Sequence, residues 1–151
     1  MKGHKLSLEI YSVLKKEEHK IFSEVMMEET IPMPNFNIQF CPTADIIINI
    51  NGKKALIEVD DDSDPGRSIT KYWPLLHYYK DSELKNYDLI FIEVFRKGST
   101  FGSGYKALAE FIGERFNEYY SKFYKFYLID AYNREVDNIV SEIAERLKGS
   151  Y

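Results

Sequence analysis

The chain has 151 residues, 44% hydrophobic and 29% charged, and its 20 basic against 24 acidic side chains give a formal net charge of −4. That balance supports one ordinary hydrophobic core. It excludes a disordered chain and a protein that coats nucleic acid by bulk positive charge, though not one with a local basic groove. The single Cys41 rules out an internal disulfide, and no Cys/His set has zinc spacing.

The N-terminal MKGHKLSLEIY lacks the continuous apolar run of a signal segment, and no window approaches the length of a membrane span. The expectation is a soluble, intracellular, cytoplasmic protein of one domain over residues 1–151, with no membrane partner. Twelve Tyr and ten Phe are read first as core and groove filler, and second as base-stacking surface.

In chain order, residues 6 to about 29 read as a helix, with Leu6, Ile10, Val13, Leu14, Ile21 and Val25 on one apolar stripe. Glu17 falls within that stripe. Either it snorkels at the edge and pairs with Lys20, or the helix points it at the acidic end of the hairpin described next. Glu24 and Glu28 are weaker candidates for the same role. Ile31-Pro-Met-Pro-Asn ends the helix, and residues 36–40 suggest a short first strand.

Residues 45–50 and 53–60 flank Asn51-Gly52, the strongest short hairpin signal, because a type I′ turn needs φ > 0 at both centres. A two-residue turn fixes the register. Ile50 then faces Lys53, Ile48 faces Ala55, Ile46 faces Ile57 and Asp45 faces Glu58, with Asp60 on the same face by the strand period of two. Opposed like charges roughly 5 Å apart destabilise a sheet, so a divalent cation is the obvious compensation. The alternative is a polar strand start at Asp45 and a lysine partner for Glu58.

Asp64 reads as a helix N-cap and Pro65 as the first helical residue of a helix from 65 toward 79, kinked at Pro74. Tyr87-Asp-Leu-Ile-Phe-Ile-Glu-Val-Phe has the nearly continuous apolar run of a buried parallel strand. A Gly/Ser loop over 97–104, a helix over 105–123, a strand over 125–130 and a helix over 133–147 complete the chain. A hairpin followed by strand–helix units predicts an α/β fold: a three-layer α/β/α single domain with a mixed sheet.

Two loop motifs fail on inspection. Asp60, Asp62 and Asp64 have calcium-loop spacing, but Pro65 and Lys71 stand where Gly and an acidic ligand are needed. Gly98 to Lys106 lacks the Gly-Lys-Ser/Thr of a nucleotide-binding loop, although such a loop could bind a phosphate through free N–H groups. His4, His19 and His77 are too scattered for a triad or metal triplet.

The carboxylate hairpin resembles the PD-(D/E)xK nuclease superfamily, which includes restriction enzymes and Holliday-junction resolvases. The matching residues are Asp45 and Glu58, with Val59 between Glu58 and position 60. The resemblance covers roughly the first two thirds of the chain. It implies a restriction-endonuclease-like fold, Mg²⁺ or Mn²⁺ at Asp45 and Glu58, and phosphodiester hydrolysis in DNA. It also implies a first-helix glutamate at the metal, for which Glu17 is the best match, and a homodimer, since two strands need two sites.

Two departures stand out. Pro42 precedes Asp45 by three positions, so the PD dipeptide is absent, and Asp60 occupies the motif lysine position. Asp60 could be an added metal ligand. In some family members the following helix supplies the cation, and here that helix carries Arg67 and Lys71 four apart on one face. Lys71 is then the catalytic cation and Arg67 a backbone contact; alternatively both merely neutralise the acidic run. The expected function is a metal-dependent DNA endonuclease, the alternative a catalytically inactive nuclease-fold protein acting as a nucleic-acid-binding or assembly module.

Overall fold

The computed structural model describes residues 2–32, 41–60, 65–96 and 102–149. Helix α1 (Lys2–Lys15) leads into three strands, β1 (Glu24–Thr30), β2 (Thr43–Ile50) and β3 (Lys53–Asp60). Two short helices, α2 (Pro65–Thr70) and α3 (Trp73–His77), and two 3-10 turns connect to β4 (Asp88–Phe95). Then come α4 (Gly102–Tyr120), β5 (Tyr124–Asp130) and α5 (Val136–Gly149).

The five strands lie in sequence order, β1-β2-β3-β4-β5. The first three form an antiparallel meander, while β3, β4 and β5 are parallel. One core lies between the sheet and α1 and α5, built on Leu6, Ile10, Ile46, Ile48, Ile57, Ile92 and Ile143. The other lies between the sheet and the α2–α4 layer, built on Ile47, Leu56, Phe91, Ile69, Leu75 and Phe116. The architecture is a mixed sheet flanked by helices on both faces, a three-layer α/β/α arrangement.

The hairpin forms in the predicted register, Ile46 against Ile57 through Ile50 against Lys53. Asn51 and Gly52 both have positive φ, 46° and 78°, as the type I′ turn requires.

The long first helix is a correction. It stops at Lys15, and residues Glu24–Thr30 form β1 instead. The Glu17 carbonyl accepts from the N–H groups of Lys20, Ile21 and Phe22, and His19 adopts a left-handed φ of 68°, so the chain reverses. Glu18 holds the turn: its Oε2 accepts from Lys15 Nζ at 2.6 Å and from the Val25 N–H at 2.7 Å. Ile21 and Val25 are four apart, a spacing that fits one face of a helix and one face of a strand equally well.

The helix over 65–79 is likewise two pieces rather than one kinked rod. Pro74 has no N–H to give the Thr70 carbonyl, and α3 restarts with Pro74 in its first turn. The short strand expected over 36–40, the Asp64 N-cap and most of the Gly/Ser loop lie outside the described residues.

Candidate active site

Along β2, β3 and β4 the α2–α4 face is apolar for most of its length and then turns acidic. Ile47 gives way to Asp45, Leu56 to Glu58 and Asp60, and Phe91 to Glu93, each by the strand period of two. Glu58 and Glu93 are directly in register on parallel strands. Continuing the hairpin register from Ile46 and Ile57 sets Asp45 opposite Glu58. Continuing that of β1 from Met27 and Ile46 sets Glu28 opposite Asp45. One row across the sheet therefore carries an acidic residue on four successive strands. Glu28, on the edge strand, is exposed and has a left-handed φ of 53°. The row lies toward the carboxyl ends of β3 and β4, where parallel sheets place their ligands.

Asp45 is half-buried, and its Oδ2 accepts from the Val59 N–H at 2.8 Å. That bond ends the hairpin ladder on a side chain and fixes the carboxylate. Burial pushes the Asp45 carboxyl above its ordinary range, while the Val59 N–H and the Lys71 charge pull the other way.

Glu58 is 3% exposed. Its Oε1 accepts from Lys71 Nζ at 2.7 Å and from the Tyr72 hydroxyl. Burial raises its carboxyl to about 8, with Lys71 opposing and the Asp45 charge adding to the rise. Lys71 also donates to the Thr43 carbonyl at 2.9 Å, so its ammonium bridges the start of β2 and the acidic end of β3. Tyr72 packs edge-on against Phe91, with ring centroids 4.8 Å apart, which seats its hydroxyl over Glu58. The break between α2 and α3 falls beside these two residues, so Lys71 and Tyr72 reach the sheet from a turn between helices.

Asp60 is buried on the same face, and its charge raises Asp45 and Glu93 further. Glu93 is fully buried, and neither of its oxygens meets a partner at hydrogen-bonding geometry. Burial first, then the adjacent Asp60 carboxyl, push it well above the usual carboxylate range. Sequence reasoning missed Glu93 because it sits inside a strand that reads as apolar on both faces. Its one signal was a charged residue in that run.

The other predicted site residues stand elsewhere. Glu17 lies in the turn after α1, linked through Phe22 and Ser23 to Asn49, at the Asn-Gly end of the hairpin. The early end of the helix removed the path that would have carried it to the carboxylates. Glu24 sits at that end too, accepting from Asn49 Nδ2 at 3.0 Å. Arg67 is exposed on α2, one turn before Lys71. Tyr72 and Tyr79 are core residues, whereas Trp73 is 58% exposed in a groove shared with His77, Phe111, Phe116 and Tyr119.

The donor set is all oxygen, buried, and richer in carboxyls than in cations, which suits a hard ion in kind. Among the described residues no three His, Cys, Asp or Glu side chains converge as a ready metal cage. Mg²⁺ does not require one, since it commonly takes one or two carboxylates and keeps several waters. Asp45 and Glu58 are the pair that would hold it. Among the described residues no helix is long and apolar enough to cross a membrane. Comparison with protein-family models, with curated proteins and with solved structures returns no match to the chain.

Proposed function

We propose that the chain is a metal-dependent DNA endonuclease of the PD-(D/E)xK type, acting in the cytoplasm, with a homodimer as its working form. The observation that carries this reading is Lys71 Nζ at 2.7 Å from Glu58 Oε1. An ammonium carried by the turn after α2 stands beside Glu58 although Asp60 occupies the motif lysine position. The order α1, β1, β2, β3, α2, β4, with α1 and α2 on opposite faces of the sheet, supports a restriction-endonuclease-like core.

Each residue then has a definite task. The Val59 N–H holds Asp45, and Lys71 and Tyr72 hold Glu58, so both carboxylates are oriented before substrate arrives. Mg²⁺ or Mn²⁺ bound there supplies a Lewis acid for the phosphoryl oxygen and lowers the pKa of a water. Lys71 stabilises the negative charge that grows on the scissile phosphate, and Arg67 contacts the backbone at the exposed rim. Asp60 adds negative charge close to the pair.

A cleavage assay on single-stranded, duplex and branched DNA with Mg²⁺ or Mn²⁺ tests the reading. Asp45→Ala and Glu58→Ala should each abolish cleavage, and activity persisting in both would sink it. A second reading is a catalytically inactive module that binds nucleic acid. It is favoured by the two donors already on Glu58 Oε1 and by Asp60 in place of lysine. It predicts DNA binding without cleavage and no rise in melting temperature on adding Mn²⁺.

A further inference from the structure

Four buried or half-buried carboxyls, those of Asp45, Glu58, Asp60 and Glu93, lie on three neighbouring strands at one end of the α2–α4 face, and the Lys71 ammonium pairs with Glu58. Asp45 and Glu58 have hydrogen-bond donors that fix them, from the Val59 N–H and from Lys71 and Tyr72. Glu93 differs. It is 0% exposed, it stands in register beside Glu58, and apart from the neighbouring Asp60 carboxyl its oxygens find no partner. It follows Phe91 by the strand period of two, which sets it on the α2–α4 face beside Glu58. A buried carboxyl without a donor is costly, and a bound ion or water is one thing that completes such a group.

We propose that Glu93 belongs to the cation site, its carboxylate supporting from β4 a divalent ion held at Asp45 on β2 and Glu58 on β3. This rests on the metal-dependent reading above and extends it by a strand. Glu93 takes the place in the site that Glu17 was expected to fill, and it does so from the opposite side of Glu58. It acts as a positioning residue: its charge and acceptor oxygens favour the ion and its waters, as carboxylates behind metal ligands do.

The test is Mn²⁺ binding to the full chain without DNA, followed by isothermal titration calorimetry. Wild type should bind, and Glu93→Gln should bind roughly tenfold to a hundredfold more weakly. Glu93→Asp, which keeps the charge, should recover part of the loss. Melting without metal should show Glu93→Gln no less stable than wild type, since the amide matches in shape the uncharged carboxyl that burial favours. Equal Mn²⁺ affinity in wild type and Glu93→Gln would overturn the proposal while leaving the Asp45 and Glu58 site standing. A wild-type chain that takes up no Mn²⁺ would overturn the metal-dependent reading itself.

Discussion

Glu58 is asked to do two incompatible things, to be buried and to be charged, and its carboxyl at about 8 records the outcome. The unfolded chain ionises this group near 4.5, so between about 4.5 and about 8 the folded state binds more protons than the unfolded one. The sign follows: without metal, stability falls as pH rises through that window. Asp45 and Glu93, also raised, act in the same direction. Glu18 and Asp130 are lowered, so their stabilising effect is complete before the upper part of the window is reached. Denaturant unfolding in chelator from pH 5.5 to 8 should therefore show declining stability, with a shallower decline in Glu58→Gln. A stability that climbs with pH over that range would contradict the account. The same protonation opposes cation binding, since metal ligands must be deprotonated. Mn²⁺ affinity should accordingly strengthen from pH 6 to 8, and a flat titration profile would separate Glu58 from the ion.

At the scale of elements, the site depends on how closely the α2–α4 layer approaches the sheet. Gly113 marks a close approach: a Cβ there would come within 2.1–2.5 Å of three Phe126 ring atoms, and that ring is itself stacked on Phe91. Gly113→Ala should favour an isolated helix by about 1 kcal/mol. In this fold it should destabilise by roughly 1–3 kcal/mol, because the buried ring would have to shift off Phe91 to admit the methyl. Chemical denaturation checks the direction, and a stabilised variant would show that α4 sits further from β5 than described. The elements differ in how well the sequence announced them. The hairpin was legible because Asn-Gly dictates its turn, and the turn dictates its register. β1 was not, because Ile21 and Val25 satisfy helix and strand periods together and the reversal depends on the Glu18 carboxylate, which ties Lys15 to Val25 across the turn. The Asp45–Glu58 pair followed from register alone. Lys71 was legible from its place four residues after Arg67 in the segment that follows β3, whereas Glu93 needed the pairing of β3 with β4, which no local pattern supplies.

For the whole molecule, the topology places an antiparallel meander beside a parallel unit, so the carboxyl ends of β3 and β4 meet the N-terminal part of β2 at one end of the sheet. That junction gathers acidic side chains from three strands, and the crossover brings Lys71 to Glu58. A net charge of −4 gives such a protein no general attraction for DNA, so recognition has to be local and its salt dependence modest. The central claim is that Lys71, delivered by the crossover segment, serves where Asp60 stands in the motif. The most direct test is single-turnover cleavage of DNA in Mn²⁺ by wild type and Lys71→Met, with Mn²⁺ binding measured on both. The account predicts cleavage by wild type, and in Lys71→Met a rate on the order of 10²–10³-fold lower with Mn²⁺ binding retained. Cleavage at the wild-type rate by Lys71→Met, or none by wild type, would contradict it.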